Sequence, residues 1–133
     1  MRQITQQVVS IGFVGLGGFA GSILRYLVSG WAQRLADTPF FPYGTLSVNV
    51  LGCLAIGLLG GWADNAGLLS PSTRLFLLVG VLGGFTTFST FGYETMALLR
   101  DKAMLAAFLY VGLHLLLGFG AVALGYGLST LKG

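Results

Sequence analysis

Four long apolar stretches, separated by short polar segments, constrain the fold of this chain more than any other feature. They cover about residues 8–31, 43–62, 74–99 and 103–128, and each approaches or exceeds the roughly 20 residues that a membrane-spanning helix needs. Only 8% of the residues are charged, whereas soluble domains carry about 25%, so the chain cannot cover a globular surface with polar groups. The sequence therefore predicts an all-α integral membrane protein of four transmembrane helices in the lipid bilayer, with residues 1–133 forming a single domain.

The polar segments predict where these helices begin and end. Residues 1–7 are expected to form a short polar arm, residues 33–42 a loop and residues 64–71 a turn. Ser70 followed by Pro71 is a typical helix start, and the charged segment 100–102 predicts a tight corner. Glycine pairs four residues apart allow membrane helices to approach closely, and three such pairs are present: Gly17/Gly21, Gly57/Gly61 and Gly80/Gly84.

The third apolar stretch contains a segment that weakens a helix near its middle. Gly83 and Gly84 are followed by Thr86 and Thr87, and glycine costs about 1 kcal/mol relative to alanine inside a helix. Backbone groups that a helix break exposes at bilayer depth must find partners in the protein, in water or in an ion. We therefore predict that the third helix is broken and that the break builds a site.

The distribution of basic residues leaves the orientation in the membrane almost undetermined. One side of a four-span chain carries three of them, Arg2, Arg74 and Lys132, and the other side carries four, Arg25, Arg34, Arg100 and Lys102. Because the Lys/Arg bias normally sets the orientation, both insertion directions should be nearly equally favourable. The pattern predicts an antiparallel, dual-topology homodimer, the two-chain counterpart of an inverted repeat. Such scattered basic residues form no nucleic-acid-binding patch.

The sequence contains no set of residues typical of catalysis, so the chain is not expected to be an enzyme. His114 is flanked by leucines, and a hydrogen-bonded packing role is the favoured interpretation, although ionisable residues inside membranes are functional candidates by default. Cys53 is interpreted as a small apolar packing residue.

Polar residues in the second apolar stretch share one helix face, because Thr45, Asn49 and Cys53 are spaced four residues apart. An asparagine in mid-span is costly unless it forms hydrogen bonds. Asn49 therefore either joins two helices or offers an amide N–H group to a passing solute.

Aromatic and hydroxyl residues follow the predicted break, and two interpretations of them stay open. Phe88 and Phe91 lie on one face, with Ser89 and Thr90 between them. They form either a core stripe or, with the positive edges of their rings, the lining of an anion path that lacks a full positive charge. Further candidates are the Tyr110 hydroxyl as a donor, Arg25 as an attraction for anions at a vestibule, and Glu94 as a group that holds donors in place.

Three motifs in order closely resemble the Fluc (CrcB-like) family of fluoride channels. They are Gly17-Gly-Phe-Ala-Gly-Ser-Ile-Leu-Arg-Tyr26, Gly44-Thr-Leu-Ser-Val-Asn-Val-Leu-Gly52 and Gly83-Gly-Phe-Thr-Thr-Phe-Ser-Thr-Phe91. The resemblance implies a dual-topology homodimer with two antiparallel fluoride pores, which exports fluoride passively and lowers its toxicity in the cytoplasm.

The same resemblance implies roles for individual residues. Asn49 would be the pore amide and Phe88 and Phe91 the aromatic residues of the pore, with one of the rings donated across the interface. Ser89, Thr90, Thr45 and Tyr110 would supply hydroxyls, while Arg25 would lie at the vestibule and Glu94 would match the acidic residue after the Phe motif. The backbone carbonyls of Gly83 and Thr86, from both subunits, would hold a central structural sodium ion. His114 and Gly118 stand where some members have hydroxyl residues on the last helix.

Other membrane functions remain as alternatives. A small multidrug exporter would need a carboxylate in the first span for proton coupling, and the first span contains no Asp or Glu. Two further alternatives remain. One is a proton-coupled exporter of fluoride or a small molecule that uses Glu94 or His114, and the other is a purely structural membrane subunit. The expected location is the cell membrane of a prokaryote.

Overall fold

The computed structural model describes residues 1–65 and 69–131, and all the regular elements in these ranges are helices. They are α1 (Arg2–Ala36), α2 (Tyr43–Asn65), α3 (Pro71–Arg74), a π-helical segment (Leu75–Val81), α4 (Leu82–Phe85), α5 (Phe88–Arg100) and α6 (Met104–Thr130). The elements of residues 71–100, called the third span below, together with α1, α2 and α6, give four helical stretches that are long and apolar enough to cross a membrane. This confirms the all-helical fold with four candidate spans. Lys132 and the middle of the turn expected at residues 64–71 lie outside the described residues.

The polar arm expected at residues 1–7 is wrong, because α1 already begins at Arg2. The Thr5 backbone N–H and hydroxyl both donate to the Met1 carbonyl oxygen, each at 3.2 Å, and the neighbouring glutamines favour helix. Polarity at the end of a span therefore marked the membrane boundary and not the helix boundary. At its other end α1 continues to Ala36, four residues into the expected loop, and stops where Asp37 adopts a left-handed backbone with φ 48°.

Glycines set the two main helix contacts. A Cβ atom on Gly80 would lie 2.8 Å from the Gly17 Cα atom, and one on Gly84 would lie 2.5 Å from the Gly18 carbonyl oxygen, so α1 and the third span touch backbone to backbone. The contact of α2 with α6 is built in the same way, with Gly57 against Val122. The predicted glycine pairs are thus confirmed as helix-packing positions, and they hold the third span against α1 while α2 packs on α6.

The third span begins as predicted and then departs from a regular α-helix. The Ser70 hydroxyl accepts a hydrogen bond from the Thr73 backbone N–H, with Pro71 in the first turn. The π-helical turns of residues 75–81 were not predicted, and π-helical insertions are frequent at functional sites. After Phe85, the backbone of Thr86 (φ −82°, ψ 159°) and of Thr87 (φ −152°, ψ 113°) is extended, and α5 starts at Phe88. These two extended residues position the candidate site.

The corner predicted at residues 100–102 is confirmed. Asp101 ends α5, and Lys102 has a left-handed backbone with φ 59°. The Lys102 and Ala103 N–H groups donate to the carbonyl oxygens of Leu99 and Leu98 at 3.0 and 2.9 Å. This compact reversal lets α6 return beside α5 and α2.

Candidate functional site

The extended backbone of Thr87 is paired with the side chain of Asn49. The Thr87 N–H donates to Asn49 Oδ1 at 2.8 Å, and Asn49 Nδ2 donates to the Thr87 carbonyl oxygen at 3.1 Å. One carboxamide thus satisfies both main-chain groups of a residue that lies outside the helices, which offsets the cost of exposing them inside a membrane. Asn49 therefore joins α2 to the third span at the point where the third span is extended.

The same extended residues redirect two backbone donors. In a continuous helix the N–H groups of Thr87 and Thr90 would donate to the carbonyls of Gly83 and Thr86, four residues earlier. Here the Thr87 N–H donates to Asn49, and the Thr90 N–H donates to the Thr87 hydroxyl at 3.2 Å, as an N-cap. The Gly83 and Thr86 carbonyls are thereby released from their helical donors. Carbonyl oxygens are the type of ligand that hard cations bind, and a Cβ atom placed on Gly83 would meet no atom within 4 Å in the protomer.

Glu94 gathers two of the hydroxyls predicted to act on an anion. The Tyr110 hydroxyl donates to Glu94 Oε2 at 2.6 Å, and the Thr45 hydroxyl donates to Glu94 Oε1 at 2.9 Å. Tyr110 and Thr45 are buried, so this network links α2, α5 and α6 through one carboxylate. Glu94 orients both donors.

His114, on α6, contacts the side-chain amide of Asn49. Its Nδ1 atom is 3.0 Å from the Tyr110 carbonyl oxygen, and its Nε2 atom is 3.3 Å from Asn49 Nδ2. A carbonyl can only accept a hydrogen bond, so Nδ1 carries the proton and Nε2 accepts from Asn49. His114 thus has hydrogen-bond partners, in agreement with its expected packing role, and one partner is the predicted pore amide.

Aromatic rings surround this polar cluster. The Phe91 ring lies 4.3 Å from the ring of His114 and 5.5 Å from that of Tyr110, measured between centroids. Phe88 is 5.6 Å from Phe91 but is 83% exposed in the single protomer. Phe41, which the sequence analysis did not single out, meets Tyr110 edge to face at 5.4 Å. Phe91 therefore faces Tyr110 of its own chain, and Phe88 presents its ring outward.

Two cavities meet at Thr87. The larger, of about 820 Å³, is lined by Arg25, Thr45, Thr90 and Glu94 among others. The smaller, of about 370 Å³, is lined by Asn49, Phe88, Phe91 and His114 among others. Thr87 lines both, so the two cavities adjoin at this residue and are called the two sections below.

The structure brings most of the predicted site residues into these two sections. Within the described residues, Arg25 has no hydrogen bond or ion pair and lines the larger cavity. Gly83 and Thr86 line the smaller cavity, and Ser89 is exposed, with its hydroxyl 3.3 Å from that of Thr87.

Thr87 was predicted only as a residue that weakens the third helix, and its central place in the candidate site was not predicted. A signal for it was present, because a threonine three residues before Thr90, at the start of an apolar run, is a typical N-cap.

Comparison with known proteins supplies a family. The sequence model of a family described as "CrcB-like protein, Camphor Resistance (CrcB)" matches residues 12–126. A protein named "Fluoride-specific ion channel FluC" from Chlorobium chlorochromatii is 50% identical over 112 residues, which are 84% of this chain and 85% of the relative. A protein of the same name from Nitratidesulfovibrio vulgaris (strain DSM 19637 / Miyazaki F) is 47% identical over 118 residues, or 89% and 94% of the two chains. "Fluoride-specific ion channel FluC 3" from Methanosarcina barkeri is 44% identical over 112 residues, or 84% and 83%.

Proposed function

The chain belongs to the CrcB-like family, and from this membership we propose that it is a fluoride-selective channel which lets fluoride leave the cell passively. It is a multi-pass membrane protein and not an enzyme. The observation that carries the proposal is that the two cavities adjoin at Thr87, with the Thr90 hydroxyl lining the larger one and the Asn49 amide lining the smaller one. The membrane is proposed to be the cell membrane of a prokaryote.

The chemistry of the two sections suits a small, strongly hydrated anion. Arg25 attracts anions into the larger cavity, where the hydroxyl of Thr90 replaces water molecules of the ion, while Thr45 keeps its hydroxyl hydrogen on Glu94. In the smaller cavity the amide of Asn49 and the ring edges of Phe88 and Phe91 continue the path. Conduction requires binding that allows both entry and exit, and these donors carry no full charge. An inside-negative potential drives an anion outward by about 2.3 kcal/mol per 100 mV.

We further propose that two copies associate in inverted orientation and form two antiparallel pores. Phe88 is 83% exposed beside Asn49, so a single protomer leaves one wall of the smaller section open. A second chain would close that wall, and a Phe ring would then reach the partner's pore. The almost equal numbers of basic residues on the two sides support insertion in both directions.

The proposed function is tested with the purified protein in a planar bilayer under a fluoride gradient. For a channel, the reversal potential should follow fluoride at about 59 mV per tenfold gradient and should not respond to an added proton gradient. Chloride in place of fluoride should carry much less current. A reversal potential that shifts with pH would favour the proton-coupled exporter, and the absence of current would favour a structural subunit.

The carbonyls of Gly83 and Thr86 from the two chains are proposed to hold a structural sodium ion, whose charge would stabilise the dimer centre. Replacing sodium by N-methylglucamine should therefore dissociate the dimer. If sodium is present at about 100 times its dissociation constant, its loss weakens the dimer by about 2.7 kcal/mol. The dimer fraction in detergent, measured by light scattering with and without sodium at constant chloride, checks this. Equal dimer fractions would remove the sodium site from the proposal.

A further inference from the structure

The Asn49 carboxamide has a single hydrogen available for an anion, and its partner in the protomer is His114. The backbone N–H of Thr87 can only donate, so the group facing it is Oδ1, and this fixes the orientation of the amide. One Nδ2 hydrogen then donates to the Thr87 carbonyl oxygen. The second points to His114 Nε2 at 3.3 Å.

His114 is held as an acceptor. Its Nδ1–H group donates to the Tyr110 carbonyl oxygen at 3.0 Å, which leaves a lone pair on Nε2 in the neutral ring. The ring is fixed between Phe91, with a centroid distance of 4.3 Å, and Tyr110, which it meets edge to face at 4.4 Å. A neutral imidazole in this orientation offers no donor to an anion at Nε2. It instead takes the hydrogen that the anion would need.

We propose that fluoride displaces His114 from Asn49 as the ion passes, so that His114 sets how tightly fluoride binds. This inference rests on the proposed function, because it concerns the same path. On entry the hydrogen bond from the Asn49 N–H to Nε2 is replaced by one to the ion, on exit it forms again, and no covalent bond changes. His114 is thus a positioning residue that competes with the ion for one donor. The competition weakens fluoride binding and speeds release, as conduction requires.

The test compares two substitutions of His114 in planar bilayers, with fluoride current measured against fluoride concentration. His114→Phe keeps an aromatic ring against Phe91 and Tyr110 but has no ring nitrogen. His114→Gln is the matched control, because its side-chain oxygen still accepts a hydrogen bond at similar reach. For the Phe variant the half-saturating fluoride concentration should fall about fivefold, the effect of one net hydrogen bond on an equilibrium. Its maximum current should fall as well, because exit slows.

Measuring the half-saturating fluoride concentration and the maximum current separately distinguishes a positioning role of His114 from a purely structural role. A distorted pore would lower the maximum current without lowering the half-saturating concentration. The Gln variant should stay within about twofold of the unmodified protein, since its acceptor is kept. An unchanged or raised half-saturating concentration in the Phe variant overturns the inference, and so does a Gln variant that behaves like the Phe variant.

A measurement on the unmodified protein keeps the inference testable if a variant fails to assemble. His114 is the only histidine in the chain, so ¹⁵N-labelled histidine gives an assigned Nε2 resonance. Fluoride should shift this resonance in a saturable manner as the hydrogen bond from Asn49 is lost, and chloride at equal concentration should not. No shift overturns the inference if the same preparation conducts fluoride. A preparation that conducts no fluoride at all contradicts the proposed function instead.

Discussion

Replacing Asn49 by aspartate is expected to abolish fluoride current, with a loss of at least about 100-fold, since burying an unpaired charge costs several kcal/mol. The carboxylate keeps the acceptor for the Thr87 N–H but loses both donors. It would place an anionic oxygen against the Thr87 carbonyl, 3.1 Å from the present Nδ2, and another against the anion path. Planar-bilayer recordings at saturating fluoride measure the effect.

The matched control for this prediction is Gln6→Glu, which converts an amide to a carboxylate at an exposed position near the start of α1. This variant should conduct like the unmodified protein, because Gln6 lines neither section of the path. Both proteins are first compared with the unmodified protein by size-exclusion chromatography, so that a lost current is counted only for protein that has folded and assembled normally. An Asn49→Asp protein with normal current would show that the amide donors have no part in conduction.

Replacing Gly21 by alanine should cause the second large effect, a loss of stability. The added Cβ would lie 2.9 Å from the Phe85 backbone nitrogen and would overlap the Val81 carbonyl oxygen. These are backbone atoms, which cannot move aside as a flexible side chain can. Overpacking of this kind costs about 1–3 kcal/mol, more than the roughly 1 kcal/mol that alanine contributes to the helix.

The measurement is the temperature at which half of the peak of the folded protein is lost in size-exclusion chromatography, which should fall by about 5 °C or more. Gly12→Ala in the same helix is the control, because a Cβ on Gly12 meets no atom within 4 Å in the protomer. A destabilised Gly12 variant would place the partner chain against that face of α1. A Gly21 variant as stable as the control would contradict the backbone contact between α1 and the third span.

Local sequence patterns predicted the helices well where apolar length or a capping residue decided the outcome. The number of candidate spans follows from apolar length, and the start of the third span follows from Ser70 and Pro71. The polar arm at residues 1–7 was predicted wrongly, because polarity reports where a chain leaves the hydrocarbon and not where its helix ends. The π-helical segment of residues 75–81 was missed, since its letters, Leu-Phe-Leu-Leu-Val-Gly-Val, also suit a regular helix.

The candidate site was likewise predicted only in part from the sequence. Asn49, Tyr110 and Glu94 were identifiable one at a time, because polar groups inside a membrane need partners. Their pairing was not, since Thr45 and Glu94 are 49 residues apart and Asn49 and His114 are 65 apart. The place of Thr87 in the site was not predicted, because its importance lies in its backbone, which carries no side-chain signature beyond the N-cap.

By itself, the sequence determined that this chain is helical, apolar enough to lie in a membrane and similar to fluoride channels, because composition, periodicity and motifs are local properties. Only the tertiary structure decided that Asn49 holds the extended Thr87, that Glu94 orients two hydroxyls, and that His114 takes the remaining amide hydrogen. The physical reason is that a hydrogen bond depends on the distance and direction between groups from different helices, and helix packing sets both.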